Sequence, residues 1–327
     1  MKSVVGSASE EDGSEGDHSE VTVAPLTSPA EAARLAAQYD NQVSRLLASE
    51  SRGQHAPGKC AWDLVAMVDF PADRRSAVAW IIAEAIMKFR CGNSRAFACW
   101  RTTALSANAV AEDDRELVLS FLISVFGRPG AVEPGDAKAK QGKSNHLEGF
   151  VAEWLWHLIM KEQKASHRER RYLSEPSYSV TEQGEDGFAV YAPPGTNVSL
   201  FFRLWEIKKH NTENSVVTTT VQRASDQLNT RGLQYLAKLT SAHRQTYGDL
   251  GILFAELGDL WINADPRAGA GVGVATSTVS PPEACFSPLE STLGQFTNAG
   301  QLEGLLCVIE NFTEFAVEVR RMVWSAL

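Results

Sequence analysis

The stretch GEDGFAVYAPPGTNVSLFFRLWEIKKHN, residues 184–211, reads as a β-hairpin. Asp186 stands just before the apolar run 187–192, Pro193-Pro194-Gly195 makes the connection, and a second strand runs from Val198 to about Lys209. Side chains alternate along a strand, so Phe202, Leu204, Glu206 and Lys208 share one face while Phe201, Arg203, Trp205 and Ile207 share the other. A carboxylate and an ammonium therefore project from one side of a strand otherwise built of large apolar residues. Burying such groups costs several kcal/mol unless each finds a partner. Ordinary strands also end in polar runs such as Lys208-Lys209-His210-Asn211, so solvation at a frayed end is the competing account.

Upstream, residues 145–163 carry a helical pattern. At about 100° per residue, Leu147, Val151, Trp154, Leu155, Leu158 and Ile159 define one apolar face. Glu148 falls inside that arc, whereas Glu153 projects from the opposite side. A carboxylate within an apolar face is uncommon and usually has a partner. Glu148, Asp186 and Glu206 thus lie on three consecutive elements, with Lys208 two positions beyond the last. That is the set that hydrolysis of a phosphodiester with magnesium requires. Carboxylate oxygens hold a hard cation that retains most of its waters. The metal acidifies a water and neutralises charge on the phosphate, while the lysine orients that water or helps to deprotonate it.

A helix bearing Glu148, then Asp186 at a strand start, then Glu206-Ile207-Lys208 on the next strand resembles the PD-(D/E)xK nuclease superfamily over about residues 145–260. Glu185 stands where the family's proline would precede Asp186, and it competes with Asp186 for the role. The resemblance implies a restriction-endonuclease-like mixed sheet flanked by helices and cleavage of DNA. It implies Mg²⁺ or Mn²⁺ as cofactor, with Glu148, Asp186, Glu206 and the backbone carbonyl of Ile207 as ligands and Lys208 positioning the water. In RecB-like members a glutamine on the following helix contributes. Gln222, Gln227 and Gln234 stand in that region, none with the family's QxxxY spacing. The order of elements around Trp205-Glu206-Ile207-Lys208 is also similar to the nuclease subunits of bacterial antiphage systems such as Hachiman. That similarity implies a role in antiviral defence, and a helicase or ATPase partner docked on the N-terminal helices.

The flanking sequence supplies context for these expectations. Residues 1–24 are acidic, rich in Ser and Gly, and read as a disordered tail. Ser28-Pro29-Ala30-Glu31 forms a capping box with proline at the first helical position, opening a helix to about Ser49. Helical patterns near 73–90 and 113–126 then make 25–130 a helical N-terminal domain. The Gly/Pro/Lys-rich stretch at 131–143 serves as a linker, leaving 144–327 as the α/β nuclease-like domain. Within that domain a long polar helix is expected over 216–244, strands near 250–256, 270–277 and 305–309, and a closing helix at 312–324. GAGVGV, residues 269–274, lacks the spacing of a nucleotide cradle and reads as a turn into a strand.

Lys161, Lys164, Arg168, Arg170 and Arg171 follow the glutamate helix and are candidates to track a phosphate backbone, the alternative being a solvated helix end. Trp154, Trp156 and Trp205 read as core rather than as base-stacking platforms. The net charge of −9 argues neither way, because residues 1–20 hold six acids and one lysine and so account for −5 of it. The five cysteines lack zinc-site spacing. With no run of about 18 uncharged apolar residues and no basic-then-apolar leader, the expectation is a cytoplasmic protein without a membrane partner. Two rival classes remain. One is a non-catalytic interaction subunit that retains the fold, and the other is an α/β enzyme with an apolar pocket for a small molecule away from Asp186. No nucleophile elbow or Ser-His-Asp arrangement promotes the latter.

Overall fold

Apolar runs without alternation predict strands buried on both faces, and four of these form the parallel heart of a seven-stranded mixed sheet. The strands are β1 (Ala48–Gly53), β2 (Cys60–Met67), β3 (Glu169–Leu173), β4 (Gly187–Ala192), β5 (Phe201–His210), β6 (Ala270–Thr276) and β7 (Leu302–Ile309). Their order is β1-β2-β7-β6-β5-β4-β3. β2, β7, β6 and β5 run parallel, while β1 is antiparallel to β2, β4 to β5, and β3 to β4. This computed structural model describes residues 27–106, 111–126, 137–177, 179–180, 186–195, 199–210 and 216–327, with backbone alone at 137–143. The acidic tail, residues 127–136 of the expected linker region, and Glu185 lie outside the described residues.

Helices cover both faces. One layer holds α1 (Pro29–Gln38), α2 (Val43–Leu46), α3 (Ala72–Cys91), α4 (Arg95–Ser106), α5 (Glu112–Phe126) and α6 (Ala137–Glu162), joined later in the chain by α10 (Phe312–Trp324). The other holds α7 (Val217–Ala242), α8 (Gly248–Ile262) and α9 (Ser287–Thr292). β5 separates two cores by its alternation: Trp205 and Ile207 pack with α6, whereas Phe202 and Leu204 pack with α7 and α8. β6 answers Trp205 with Gly271, where a Cβ would meet the indole at 2.3 Å, so only glycine leaves room there. Gly187 of β4 is bound in the same way, its missing Cβ lying 2.3 Å from the indole of Trp156.

Several expectations hold. Ser28 caps α1 with a complete capping box on Glu31, and α7, β6, β7 and α10 fall where their patterns place them. Others differ. Residues 250–256 are not a strand but part of α8, because Leu253, Phe254, Leu257, Leu260 and Trp261 are buried at helical spacing. The helix opening at Pro29 ends at Gln38, where Asp40 and Asn41 adopt positive φ (55° and 53°). The segment 25–130 is mostly helical, yet it sends β1 and β2 into the same sheet as β5, and Trp80, Leu155 and Phe315 share one core. The helix expected from 145 already begins at Ala137, inside the stretch read as linker.

Candidate active site

Asp186 immediately precedes β4, one residue beyond the last β4–β5 pair, Gly187 with Trp205. Its carboxylate continues the ladder in place of a carbonyl, since Oδ2 accepts the Ile207 N–H at 2.8 Å. That bond aims the carboxylate at the outgoing end of β5, where the parallel strands terminate and where open α/β sheets place their ligands. Lys208 donates to Asp186 Oδ2 at 3.4 Å and to Glu206 Oε1 in a short bond. Asp186, Glu206 and Lys208 therefore converge, as the strand alternation predicts.

Glu206 is fully buried, and its Oε2 has no hydrogen-bond partner among the described residues. Burial, and then the Asp186 charge, push the Glu206 carboxyl up to about 8 despite the attraction of Lys208. Burial disfavours the Lys208 ammonium, but Asp186 and Glu206 together outweigh it and hold the amine above its usual range. A lysine held protonated in this way orients a water or an anion; it does not remove a proton at neutral pH.

Glu148 is not part of this group. It is buried, and it accepts from Ser144 Oγ at 2.8 Å and from Lys209 Nζ at 2.8 Å, the lysine on the opposite face of β5 from Lys208. The carboxyl on α6 that feels the charges of Asp186 and Lys208 is Glu153. Burial, then Asp186, raise it to about 8, and its Oε2 accepts the Ser177 N–H at 3.2 Å. A one-faced helical wheel misplaced it. Phe150, Val151, Ala152, Trp154, Leu155 and Trp156 are all buried, so the side of α6 opposite the expected apolar face is interior as well.

His210 is a second residue that the sequence hid within a polar run. It is buried, and its ring lies 2.9 Å from Thr220 Oγ1 on α7. The glutamines are engaged elsewhere or open to solvent: Gln222 bonds Asp226 and Thr292, Gln227 bonds Tyr235, and Gln234 is exposed. Trp154, Trp156 and Trp205 are core residues, as expected. The basic cluster divides. Arg168 binds both oxygens of Glu303, Arg170 donates to the carbonyls of Met160 and Lys161, and Arg171 pairs with Glu169. Lys161 and Lys164 are exposed.

Among the described residues, no three His, Cys, Asp or Glu side chains form a group able to hold a metal ion. Two carboxylates, one with an orphaned buried oxygen, nonetheless have the donor chemistry that suits Mg²⁺, which is usually held by one or two carboxylates with water and substrate phosphate completing its shell. No helix among the described residues is long and apolar enough to cross a membrane. No protein-family model matches the chain, and no curated protein matches it.

Proposed function

We propose that the chain is a metal-dependent nuclease of the PD-(D/E)xK type, cutting DNA as an effector of antiphage defence under the restraint of a helicase or ATPase partner. The observation that carries this reading is the convergence of Asp186 and Glu206 on the Lys208 ammonium at the outgoing end of β5, with Glu206 Oε2 left unanswered.

Asp186 and Glu206 would hold Mg²⁺ or Mn²⁺, with the Ile207 carbonyl as a further ligand and Glu153, in place of Glu148, as the neighbouring acid on α6. The bound metal supplies an acidified water and charge neutralisation at the phosphate. Lys208 holds the attacking water and a phosphate oxygen in position. Asp186, fixed by the Ile207 N–H, keeps its carboxylate aimed at the site. Glu206 and Glu153 hold protons near neutrality and give them up when a cation binds, so occupancy and ionisation are linked. With Arg168, Arg170 and Arg171 paired within the chain, DNA contact falls first to Lys161, which is exposed.

The test is digestion of supercoiled plasmid with Mg²⁺ or Mn²⁺ by wild type, Lys208→Ala and Asp186→Ala. Cleavage by wild type alone supports the assignment, and equal cleavage by all three removes it. The lysine between two carboxylates, with no three-acid group among the described residues, favours a second reading, a nuclease-fold subunit that works by interaction alone. No heat of Mn²⁺ binding to the folded chain would select that reading.

A further inference from the structure

At the incoming end of β5, on the α6 side of the sheet, lies a cleft of about 560 Å³. Its floor is an ion triad. Glu303 of β7 receives Arg168 and Arg203, with Arg168 Nη2 at 3.0 Å and Arg203 Nε at 3.1 Å. Arg203 also donates to the Gly300 carbonyl at 2.9 Å and to the Phe202 carbonyl at 2.7 Å. Two buried guanidiniums on one carboxylate carry one positive charge beyond Glu303, and Asp63 is a further anion in the same lining that acts on Arg168.

The rim adds free donors. Residues 165–168 form a tight turn closed by an Arg168 N–H to Ala165 carbonyl bond, with Ser166 and His167 at its tip and Lys164 just before it. Lys164 and Ser166 have no side-chain partner among the described residues. His55, on the β1–β2 connection, reaches the cleft with its ring edge-on to that of His167, the centroids 6.0 Å apart. Arg52, which also lines the cleft, is paired with Glu50, and Asp63 is bonded to Ser51 and Gln163. Because Ser51 and Gln163 are neutral, the Asp63 charge is set against the excess of Arg168 and Arg203, and Lys164 remains the cation of the cleft without an ion-pair partner among the described residues.

We propose that this cleft binds a small organic phosphate of nucleotide size, its phosphate held by Lys164, Ser166 and His167 with His55 opposite. Donors on two sides suit a group whose oxygens point in several directions better than a planar carboxylate. The volume lies within the roughly 300–1,000 Å³ of small-molecule sites and exceeds what one inorganic anion fills. The proposal does not rest on the nuclease reading, because Arg203 and Lys208 lie at opposite ends of β5 and on opposite faces.

The full chain is titrated by calorimetry with adenosine monophosphate, inorganic phosphate, succinate and a single-stranded 20-mer. Expected is saturable binding of the nucleotide at least tenfold tighter than phosphate or succinate. It weakens at least tenfold in Lys164→Ala and His167→Ala, whose exposed positions leave melting unchanged, and it persists in Asp186→Ala. Four results would each overturn the proposal: no saturable nucleotide binding, equal affinity for phosphate or succinate, unaltered binding in both rim variants, or loss in Asp186→Ala. Displacement of the nucleotide by the 20-mer would do so too, by assigning the cleft to nucleic acid.

Discussion

Strand β5 carries an ion cluster at each end, and the two differ in how fully the carboxylate is bonded. At the incoming end both oxygens of Glu303 are bonded, and although burial disfavours its charge, Arg168 and Arg203 hold its carboxyl below the usual range. At the outgoing end one oxygen of Glu206 has no partner among the described residues, and its carboxyl is pushed up to about 8. Both sites are buried, so burial alone does not distinguish a structural ion cluster from a chemical one. The carboxylate's own bonds do: one with both oxygens bonded to arginine ties elements together, even though Arg168 Nε beside it has no partner among the described residues, whereas one with an open oxygen stores cost that a ligand can relieve.

Removing the carboxylate from the completed cluster is the harshest way to break this contrast. Glu303→Ala leaves two buried arginines facing each other and is expected to cost about 3–5 kcal/mol in urea unfolding. A loss below about 1 kcal/mol would mean that the triad is not what joins β3, β5 and β7. The outgoing cluster should respond in function instead: Lys208→Ala is expected to lower plasmid cleavage about 100-fold or more while melting close to wild type. A variant that unfolds but, when folded, cleaves normally would make Lys208 a structural residue like Arg168.

The two clusters were unequally legible. Alternation along 201–209 placed Glu206 and Lys208 on one face, and the position of Asp186 before a short apolar run brought it alongside. The Arg203–Glu303 pair spans 100 residues, and its only trace is one charge within each of the apolar runs FFRLW and LEGLLCVI. Glu153 escaped because a wheel assumes one wet face, and α6 is buried nearly all round. β1 escaped because the edge strand ASESRG has no large apolar side chain, and β2 because CAWDLVAM is covered on both faces and shows no period of two. The apolar run at 250–256 was assigned the wrong period because five or six residues fit a strand and a helix alike, and only its burial in α8 decides.

Protonation separates the clusters more gently. Glu206 has a folded value of about 8 against an ordinary 4.5, so the folded state holds the proton more tightly. The stability this contributes is complete below about pH 4.5 and is lost as pH rises to about 8. Glu303 has the opposite sign: its contribution is present above the ordinary carboxylate range and is lost as pH falls. Metal-free wild type should therefore melt several degrees lower at pH 8.5 than at pH 5.5. Glu206→Gln should remove much of that decline, because the amide imitates the protonated acid. An identical pH slope in wild type and variant would show that Glu206 is ionised throughout.

The smallest expected effect sharpens which acid on α6 belongs with the site. Glu153 feels the Asp186 charge, while Glu148 is committed to Lys209 and Ser144. If cation binding drives protons from Glu206 and Glu153, Mn²⁺ affinity measured by calorimetry should strengthen as pH rises from 6 to 8, with protons released to the buffer. Glu153→Gln is then expected to weaken binding severalfold and to flatten its pH dependence. Glu148→Gln, which leaves the Lys209 ammonium short of one anion, should lower the melting temperature and leave Mn²⁺ affinity as it was. The reverse outcome would return Glu148 to the metal site and reduce Glu153 to a cap on the Ser177 amide.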